Sequence, residues 1–270
     1  MRLAATVAGS GPRVALVHGF TQTGRSWRQI AGRLAHNHEV VAVDAPGHGD
    51  SSALAADLWT GAAALVESAG TAAYVGYSMG GRLALHAALA HPGAVNRLVL
   101  LGATPGIADA GERAARQRSD NALADDIERD GVNAFLIRWL DNPMFARLPA
   151  DPGDVEDRRR NTAAGLASSL RLAGSGVQES LWDRLAGLTM PVLVLAGTHD
   201  AKFVDIGRRM SAAIGANARF ELVPNAGHAA HLEQPDQFLA LVEPFLNEAE
   251  PRVRNEAEPR VALDSARRRE

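Results

Sequence analysis

The sequence predicts an α/β fold in which a mostly parallel sheet is flanked by helices. Short runs rich in valine and leucine recur along the chain. They are continuously apolar rather than alternating, which is typical of strands covered on both faces. Segments with helical spacing separate these runs, so strand and helix alternate as in a doubly wound fold. A chain of 270 residues is long enough for one large domain that carries an insertion.

The predicted elements follow one another in a regular order. Predicted strands cover residues 14–17, 40–43, 72–75, 98–101 and 192–195, and a less regular one covers residues 219–223. The predicted helices that separate them cover residues 25–35, 57–68 and 80–90. Residues 1–107 and 188–246 are therefore predicted to form the core domain together.

The alternation stops between residues 108 and 187, where helical spacing and many charges continue without a convincing strand. Helices are predicted here over residues 111–129, 132–140, 155–172 and 178–185, with breaks at Pro143 and Pro149. An insertion between two parallel strands lies over their carboxyl ends, where open α/β sheets bind ligands. We therefore expect residues 108–187 to form a helical lid above a pocket.

The end of the chain has a different composition. The heptapeptide Asn-Glu-Ala-Glu-Pro-Arg-Val occurs at residues 247–253 and again at 255–261. Apolar residues are few there, and the repeat is far too short for a solenoid unit. We expect residues 247–270 to form a disordered tail.

Composition and charge exclude several classes of protein. The absence of cysteine excludes disulfides, a thiolate nucleophile and cysteine-ligated metals. With 28 basic and 31 acidic residues, the net charge of −3 gives no global field that would recruit nucleic acid or an anionic membrane. No segment approaches the roughly 20 apolar residues of a membrane span, and no signal-peptide pattern is present. A cytoplasmic enzyme is expected, with its oligomeric state open.

The clearest chemical motif is Gly76-Tyr77-Ser78-Met79-Gly80, a Gly-x-Ser-x-Gly pentapeptide. It follows a predicted strand and precedes an alanine-rich predicted helix, which is the strand–turn–helix context of a nucleophilic serine. A nucleophile on a tight turn takes a strained backbone, and its neighbours must lack a Cβ. The alternative is an ordinary serine in a glycine-rich turn. We predict that Ser78 is catalytic.

A catalytic serine needs a base and an acid that orients the base. In this architecture they follow in the order Ser, acid, His, each at the carboxyl end of a strand. Asp200 follows the predicted strand at residues 192–195, and His228 follows the one at residues 219–223. Taken alone, each could be a turn-forming aspartate or a loop histidine. Their order together predicts a Ser78–His228–Asp200 triad.

Other residues compete for these roles. His231 lies three positions after the predicted base. A helical segment would place it on the same face but further from the sheet edge, in a supporting or exposed position. His199 is interpreted as a loop residue, and His18 as a brace for its own His-Gly loop. Asp44 and His48 are interpreted as shaping a turn after the second predicted strand.

Acyl-transfer and enolate chemistry both need donors for a developing oxyanion. One donor is the backbone N–H of the residue after the serine, and the other comes from a loop after an early strand. Met79 supplies the first donor in this chain. The loop of residues 17–21 follows the first predicted strand, so the Phe20 N–H is the candidate for the second.

These motifs in this order resemble the α/β-hydrolase superfamily over about residues 2–246. Residues 76–85 are similar to the nucleophile segment of one family within it, in which an arginine follows four positions after the serine. That family is the 2-succinyl-6-hydroxy-2,4-cyclohexadiene-1-carboxylate (SHCHC) synthases of menaquinone biosynthesis, or MenH enzymes. The resemblance extends to residues 112–116, 135–139, 143–145, 165–171, 174–178 and 200–203.

The resemblance implies elimination of pyruvate from 2-succinyl-5-enolpyruvyl-6-hydroxy-3-cyclohexene-1-carboxylate, with no cofactor and no metal. This small anionic substrate has three carboxylates, and arginine binds carboxylates bidentately and stays charged when a lid excludes water. Arg82 and Arg116 are the predicted anchors, and Tyr77, Trp139 and Lys202 are further candidate contacts. The alternatives are surface salt bridges for the arginines, core packing for the tryptophan and a surface position for the lysine.

The residues also allow other functions. A serine nucleophile could hydrolyse esters or carbon–carbon bonds, or carry out cofactor-free perhydrolysis. That function predicts an apolar pocket in which Arg82 and Arg116 do not converge. A catalytically silent binding protein on the same fold is a further alternative, although such proteins tend to lack a triad residue. For the lyase, Ser78 and His228 would act together as a base.

Overall fold

A computed structural model describes residues 1–248 of the chain. Seven strands form one sheet. They are β1 (Ala5–Ala8), β2 (Arg13–Val17), β3 (Glu39–Val43), β4 (Ala72–Tyr77), β5 (Val95–Leu101), β6 (Val192–Gly197) and β7 (Ala218–Val223). Their order across the sheet is β1-β3-β2-β4-β5-β6-β7. Only β1 is antiparallel to its neighbour, so the predicted mostly parallel sheet is confirmed.

Burial explains where the strands lie. Every residue of β4 and β6 is buried, and β2, β3 and β5 are buried at all but one position each. Continuous apolar runs are expected for parallel strands that are covered on both faces. By contrast, all four residues of β1 are exposed at the edge of the sheet. No apolar run marks this strand, and the sequence did not predict it.

Helices cover both faces of the sheet. One layer consists of α2 (Leu58–Ala69), α3 (Met79–Ala90) and α7 (Ala201–Ile214), and the other of α1 (Arg28–Leu34) and α9 (Pro235–Asn247). The first layer buries Leu65, Leu83 and Met210, and the second buries Ile30 and Phe238. Complete burial of one such side chain stabilises the fold by about 1.5–3 kcal/mol. Two packed layers therefore hold the sheet in place beneath the loops.

A helical insertion, residues 110–187, lies between β5 and β6. It contains α4 (Ala110–Leu140), α5 (Pro152–Arg158) and α6 (Ala163–Ala173), followed by a 3-10 helix at Trp182–Gly187. α4 and α6 share a small core that includes Ile127, Phe135 and Leu166. Gly131 has a φ of 78° and interrupts α4. The helices predicted over residues 111–129 and 132–140 are separated at this break.

Two helix predictions in the insertion are wrong in extent. Residues 155–172 do not form one helix, because Thr162 caps a new one by accepting a hydrogen bond from the N–H three residues later. Residues 178–185 do not form one helix either, because the Leu181 N–H donates to the Pro105 carbonyl of the core at 2.7 Å and a 3-10 helix begins only at Trp182. Hydrogen bonds outside the helix pattern therefore override the helical spacing at both places.

Other predictions differ in smaller ways. Residues 25–35 begin with a 3-10 helix, Gly24–Trp27, before α1 starts. Helices α7 and α9 and the short helix α8 (Ala230–Glu233) were not assigned from the sequence. The predicted tail of residues 247–270 lies outside the described residues, except that Asn247 ends α9 and Glu248 follows it.

The carboxyl ends of the parallel strands meet at one edge of the sheet. There β2 leads into residues 18–23, β4 into Ser78, β6 into Asp200 and β7 into the loop that carries His228. Loops from four strands therefore bring the predicted site residues together, as expected for an open α/β sheet. Within residues 1–248, every helix is too short or too polar to cross a membrane.

Candidate active site

Ser78 occupies a strained turn between β4 and α3. Its φ is 51° and its ψ is −108°, a combination that side-chain-bearing residues rarely adopt. A Cβ at Gly76 would meet the backbone of α3, and a Cβ at Gly80 would meet the carbonyl oxygens of Val17 and His18. Both glycines are therefore needed for the strand and the helix to approach each other around the serine.

Ser78, His228 and Asp200 form a continuous hydrogen-bonded chain. Ser78 Oγ lies 3.1 Å from His228 Nε2, and His228 Nδ1 lies 2.7 Å from Asp200 Oδ2. The Nδ1–H donates to the carboxylate, so Nε2 carries the lone pair that accepts the serine hydroxyl. With His228 only 4% exposed, little water competes for these bonds. The chain can therefore move a proton from Ser78 to the imidazole.

Neighbouring side chains restrict the imidazole of His228. The rings of Phe203 and Tyr77 lie 4.6 Å and 5.3 Å from it, centroid to centroid. A Cβ at Gly102 would come within 2.9 Å of the imidazole, so glycine leaves the room that the ring occupies. Asp200 also caps α7 by accepting from the Phe203 N–H at 3.5 Å. Fold contacts thus hold both the base and its acid.

The two predicted oxyanion donors lie on neighbouring loops. Met79 begins α3, so no helical carbonyl requires its N–H. The loop of Phe20 is closed by two hydrogen bonds, from the Gly19 N–H to Gln22 Oε1 at 2.9 Å and from the Gln22 N–H to the Gly19 carbonyl at 3.1 Å. Phe20 and Met79 line the same cavity as Ser78. Their N–H groups remain the candidate donors.

Ser78 and His228 open onto a cavity between the sheet and the insertion. Its apolar and aromatic lining includes Phe20, Tyr77, Met79, Leu123, Trp139, Met144, Phe145, Leu170 and Phe203. Four basic side chains line it, namely Arg82, Arg116, Arg158 and Lys202, and none of its lining residues within 1–248 is acidic. Such a cavity suits a ligand that combines a ring with several negative charges.

Arg82 reaches the cavity from α3 and is 7% exposed. Its Nη1 donates to the Ala173 carbonyl at 2.6 Å and to Gln178 Oε1 at 3.4 Å. Burial, together with the charge of Arg116, lowers the pKa of Arg82 to about 10, which leaves it charged at neutral pH. Within the described chain it forms no ion pair with a carboxylate. An anionic ligand would compensate this buried charge.

Arg116 reaches the same cavity from α4. Its Nε donates to Asp120 Oδ1 at 2.7 Å, and Asp120 Oδ2 accepts from the Gly176 N–H at 3.0 Å. The side chain is 43% exposed, so the guanidinium is not enclosed by this ion pair. Arg116 therefore forms a salt bridge and lines the pocket at the same time. Asp120 orients its guanidinium, and the arginine lines the cavity with Arg82.

Arg158 is a cavity residue that the sequence analysis missed. In α5, its Nε donates to Asp154 Oδ2 at 2.7 Å, and its Nη1 donates to Thr21 Oγ1 at 2.5 Å. Only 2% of its side chain is exposed. In the sequence it is the first of three consecutive arginines. The only signal is the aspartate four residues earlier, a spacing that is common on exposed helix surfaces.

The remaining predicted contacts, Tyr77, Trp139 and Lys202, line this cavity too. Trp139 packs edge-on against Phe20 with ring centroids 5.3 Å apart, so it belongs to the core of the insertion and to the pocket wall. Burial raises the pKa of Tyr77, which keeps its hydroxyl neutral. Lys202 is exposed and lies where this cavity adjoins an outer one.

His18 braces its loop, as interpreted from the sequence. Its Nε2 accepts from the Ala45 N–H at 2.9 Å, and its Nδ1 donates to the Gly19 carbonyl at 2.8 Å. Burial lowers the pKa of His18 to about 4, so the ring is neutral. Asp44 shapes the following turn, since its carboxylate accepts from the N–H groups of Gly24 and Asp50.

His231 is buried, which rules out the exposed position that was one of its two expected alternatives. Only 1% of it is accessible, and its ring lies 4.3 Å from that of Trp27 and 4.5 Å from that of Tyr77. Neither ring nitrogen has a hydrogen-bond partner among the described residues. His199, by contrast, is exposed in its loop as expected. Neither residue contacts Ser78 through a hydrogen bond, which leaves His228 as the candidate base.

Comparison with known proteins gives consistent matches along the chain. A model of the alpha/beta hydrolase family matches residues 14–241. A putative SHCHC synthase from Bacillus subtilis (strain 168) is 36% identical over 258 residues, which cover 89% of this chain and 93% of that protein. The SHCHC synthase of Serratia proteamaculans (strain 568) is 34% identical over 87% of this chain and 93% of its own length.

Solved structures agree with the sequence matches. The structure of MenH from S. aureus has a TM-score of 0.82 and 27% identity, and the match covers 90% of this chain and 97% of that one. The likeness in fold is thus accompanied by similarity along most of the sequence. The chain belongs to the α/β-hydrolase family, and within it the SHCHC synthases are relatives that it matches over almost its whole described length.

Proposed function

We propose that this protein eliminates pyruvate from 2-succinyl-5-enolpyruvyl-6-hydroxy-3-cyclohexene-1-carboxylate to give SHCHC, a step of menaquinone biosynthesis. Its relatives carry the name SHCHC synthase. The observation that carries the proposal is the placement of Arg82, Arg116, Arg158 and Lys202 around one serine–histidine pair. The proposed substrate has three carboxylates, and guanidinium groups bind carboxylates through paired hydrogen bonds.

The cations approach the substrate from different sides. Arg82 extends from α3 beside the sheet, whereas Arg116 and Arg158 extend from α4 and α5 of the insertion. Carboxylates on different parts of one ring can therefore be held at the same time, which fixes the ring against the base. The insertion covers part of the cavity, which reduces the contact of an enolate with bulk water in the proposed reaction. We also propose that the reaction takes place in the cytoplasm, on a small anionic substrate and without a nucleic-acid or membrane partner.

In the proposed mechanism, Ser78 and His228 act together as the base. Ser78 Oγ removes the ring proton next to the succinyl carbonyl as its own proton passes to His228, and Asp200 stabilises the imidazolium. The electron pair left on the ring forms an enolate, whose oxygen accepts hydrogen bonds from the N–H groups of Phe20 and Met79. Collapse of the enolate breaks the carbon–oxygen bond to the enolpyruvyl group, which leaves as the enolate of pyruvate. This enolate takes up the proton held by the His228 imidazolium and becomes pyruvate, which regenerates the neutral base.

Hydrolysis of esters or carbon–carbon bonds is the second candidate function, with perhydrolysis as its variant. The strained turn at Ser78 and the 3.1 Å contact between Oγ and Nε2 also suit a serine nucleophile. However, an apolar pocket with diverging arginines was expected for that function. Arg82 and Arg116 instead line one cavity, which favours a polyanionic ligand.

The test measures pyruvate release from enzymatically generated substrate, coupled to lactate dehydrogenase. Ser78→Ala should lower kcat by about 10²–10⁴-fold, since it removes the group that transfers the proton. Arg82→Ala should lower kcat/KM by about 10–100-fold, the loss expected for one charge-assisted hydrogen-bond pair. Arg118→Ala is the matched control, because this arginine is exposed on α4, and it should leave both constants unchanged.

A second assay separates the two candidate functions. The same variants are compared for hydrolysis of p-nitrophenyl acetate. Fast pyruvate release with negligible ester turnover supports the lyase. Pyruvate at the spontaneous rate, together with rapid ester cleavage that requires Ser78, would sink the lyase proposal and leave a hydrolase.

A further inference from the structure

A buried carboxylate holds the backbone on both sides of His228. Glu233 Oε2 accepts from the Gly227 N–H at 2.5 Å, and Glu233 Oε1 accepts from the Ala229 N–H at 3.0 Å. These N–H groups belong to the two residues that flank the candidate base in the sequence. One side chain therefore fixes the loop at the point where the imidazole leaves the backbone.

The fold is built to bring this carboxylate close. Glu233 ends the short helix α8, and its own N–H donates to the Ala229 carbonyl at 3.0 Å, which turns the chain back toward the loop. A Cβ at Gly227 would lie 3.1 Å and 3.2 Å from the two carboxylate oxygens. Glycine at this position leaves the space that the carboxylate occupies.

Only a carboxylate satisfies this arrangement fully. Glu233 is 8% exposed and forms no ion pair within the described residues, so its charge is balanced by the two peptide N–H groups. A glutamine would offer one accepting oxygen and one donating nitrogen, and that nitrogen would face an N–H group. Burying a charge is costly unless it is fully hydrogen-bonded. The two hydrogen bonds therefore satisfy two buried N–H groups of this loop and compensate the buried charge of Glu233.

We propose that Glu233 is a positioning residue that sets the backbone of His228, so that Nε2 meets Ser78 while Nδ1 meets Asp200. His228 lies between the two residues whose N–H groups Glu233 holds. A displacement of about 1 Å in a catalytic group can cost on the order of 10²-fold in rate. The expected effect on pyruvate release rests on the proposed function. The expected effect on the contact between Ser78 and His228 does not depend on that function.

The experiment compares Glu233→Gln and Glu233→Ala with Glu221→Gln, a matched control on the exposed side of β7. In the pyruvate assay, Glu233→Gln should lower kcat at least tenfold and leave KM within twofold, since the cations that bind substrate are untouched. Glu233→Ala should lower kcat further if it folds. Circular dichroism and an unfolding transition above the assay temperature establish that the glutamine variant is folded.

A second readout separates this inference from the proposed function. The rate at which diisopropyl fluorophosphate modifies Ser78 depends on His228 whatever the natural substrate is. Glu233→Gln should slow this modification at least tenfold, and Glu221→Gln should not change it. If the wild-type protein is modified but releases no pyruvate, the proposed function fails and the modification rates still decide the role of Glu233. The positioning role of Glu233 is overturned if the folded Glu233→Gln protein has an unchanged modification rate and an unchanged kcat, or if only its KM changes.

Discussion

His228 and His231 are three positions apart, yet their surroundings give them different properties. His228 hydrogen-bonds to Ser78 and Asp200 at the wall of the cavity. His231 is buried among aromatic rings with neither nitrogen hydrogen-bonded to a described residue. Burial lowers the pKa of His231 well below its ordinary value, so the ring stays neutral. It contributes packing, and we expect no chemistry from it.

The first prediction concerns this buried imidazole. His231→Leu replaces a ring that has two unpartnered nitrogens by an apolar side chain of similar volume. The substitution should raise the free energy of unfolding by about 1–3 kcal/mol, because unsatisfied buried polar groups carry a penalty of that size. Urea denaturation measures the change, and kcat for pyruvate release should stay within twofold. A folded variant that has lost its activity would instead give His231 a role in the reaction.

Sequence reasoning reached the candidate triad because three strands end at predictable places. Ser78 and Asp200 each follow an apolar run, and His228 follows a less regular predicted strand. The order of these strands places their carboxyl ends together. The sequence did not predict the roles of Arg158 and Glu233. Arg158 contacts a loop that is distant in sequence, and Glu233 turns back toward its own loop around a short helix. No local pattern encodes that direction. Residues of a motif can therefore be predicted from the sequence, whereas the residues that support them through contacts in the fold cannot.

At the level of elements, the close approach of β4 and α3 determines where Ser78 lies. A Cβ at Gly80 would overlap the carbonyl oxygens at the end of β2. Gly80→Ala should therefore push α3 away from the sheet, lower the free energy of unfolding by about 1–3 kcal/mol and reduce kcat by on the order of 10²-fold. Gly93→Ala is the control, since nothing lies within 4 Å of its added Cβ. Equal stability and activity in the two variants would contradict this account.

Elements differed in how well the sequence predicted them. Central strands were located because they are buried on both faces, whereas β1 has four exposed residues and no apolar signal. Helices were found from their spacing, but their ends in the insertion depend on single polar side chains. Thr162 starts α6 by capping it, within a segment that spacing alone predicts as continuous. Element boundaries therefore require knowledge of hydrogen bonds that hydrophobic periodicity does not contain.

Across the whole molecule, the insertion holds the loop that carries Phe20. Asp157 Oδ2 accepts from Thr23 Oγ1 at 2.6 Å, and Asn161 Nδ2 donates to the Thr21 carbonyl at 2.7 Å. Asn161 Oδ1 also accepts from the Gly49 N–H at 2.9 Å. The segment that supplies cationic side chains to the cavity thus also positions a candidate oxyanion donor. α5 and the turn after it therefore connect the middle of the insertion to the loops of the core domain.

The last prediction concerns the stability of the whole fold in acid. Burial lowers the pKa of His18 to about 4, of His48 to about 3 and of His86 to about 4, and it lowers that of His231 in the same direction. The unfolded chain takes up these protons near pH 6.5, whereas the folded protein does not. Stability is therefore fully present about one pH unit above 6.5, begins to fall near pH 6.5 and falls further as the pH decreases toward 4. The loss is at most about 1.4 kcal/mol per histidine for each pH unit.

Urea denaturation at pH 7.5, 6.5 and 5.5 measures this effect above the range in which most carboxylates titrate. The free energy of unfolding should fall by about 1 kcal/mol between pH 7.5 and 6.5 and by about 4 kcal/mol more between pH 6.5 and 5.5. His231→Leu removes one of these histidines and should show a shallower fall, whereas His36→Gln changes an exposed ring and should keep the wild-type slope. A wild-type midpoint that is the same at pH 5.5 and 7.5 would mean that the buried histidines take up protons without unfolding, because water or a local opening reaches their rings.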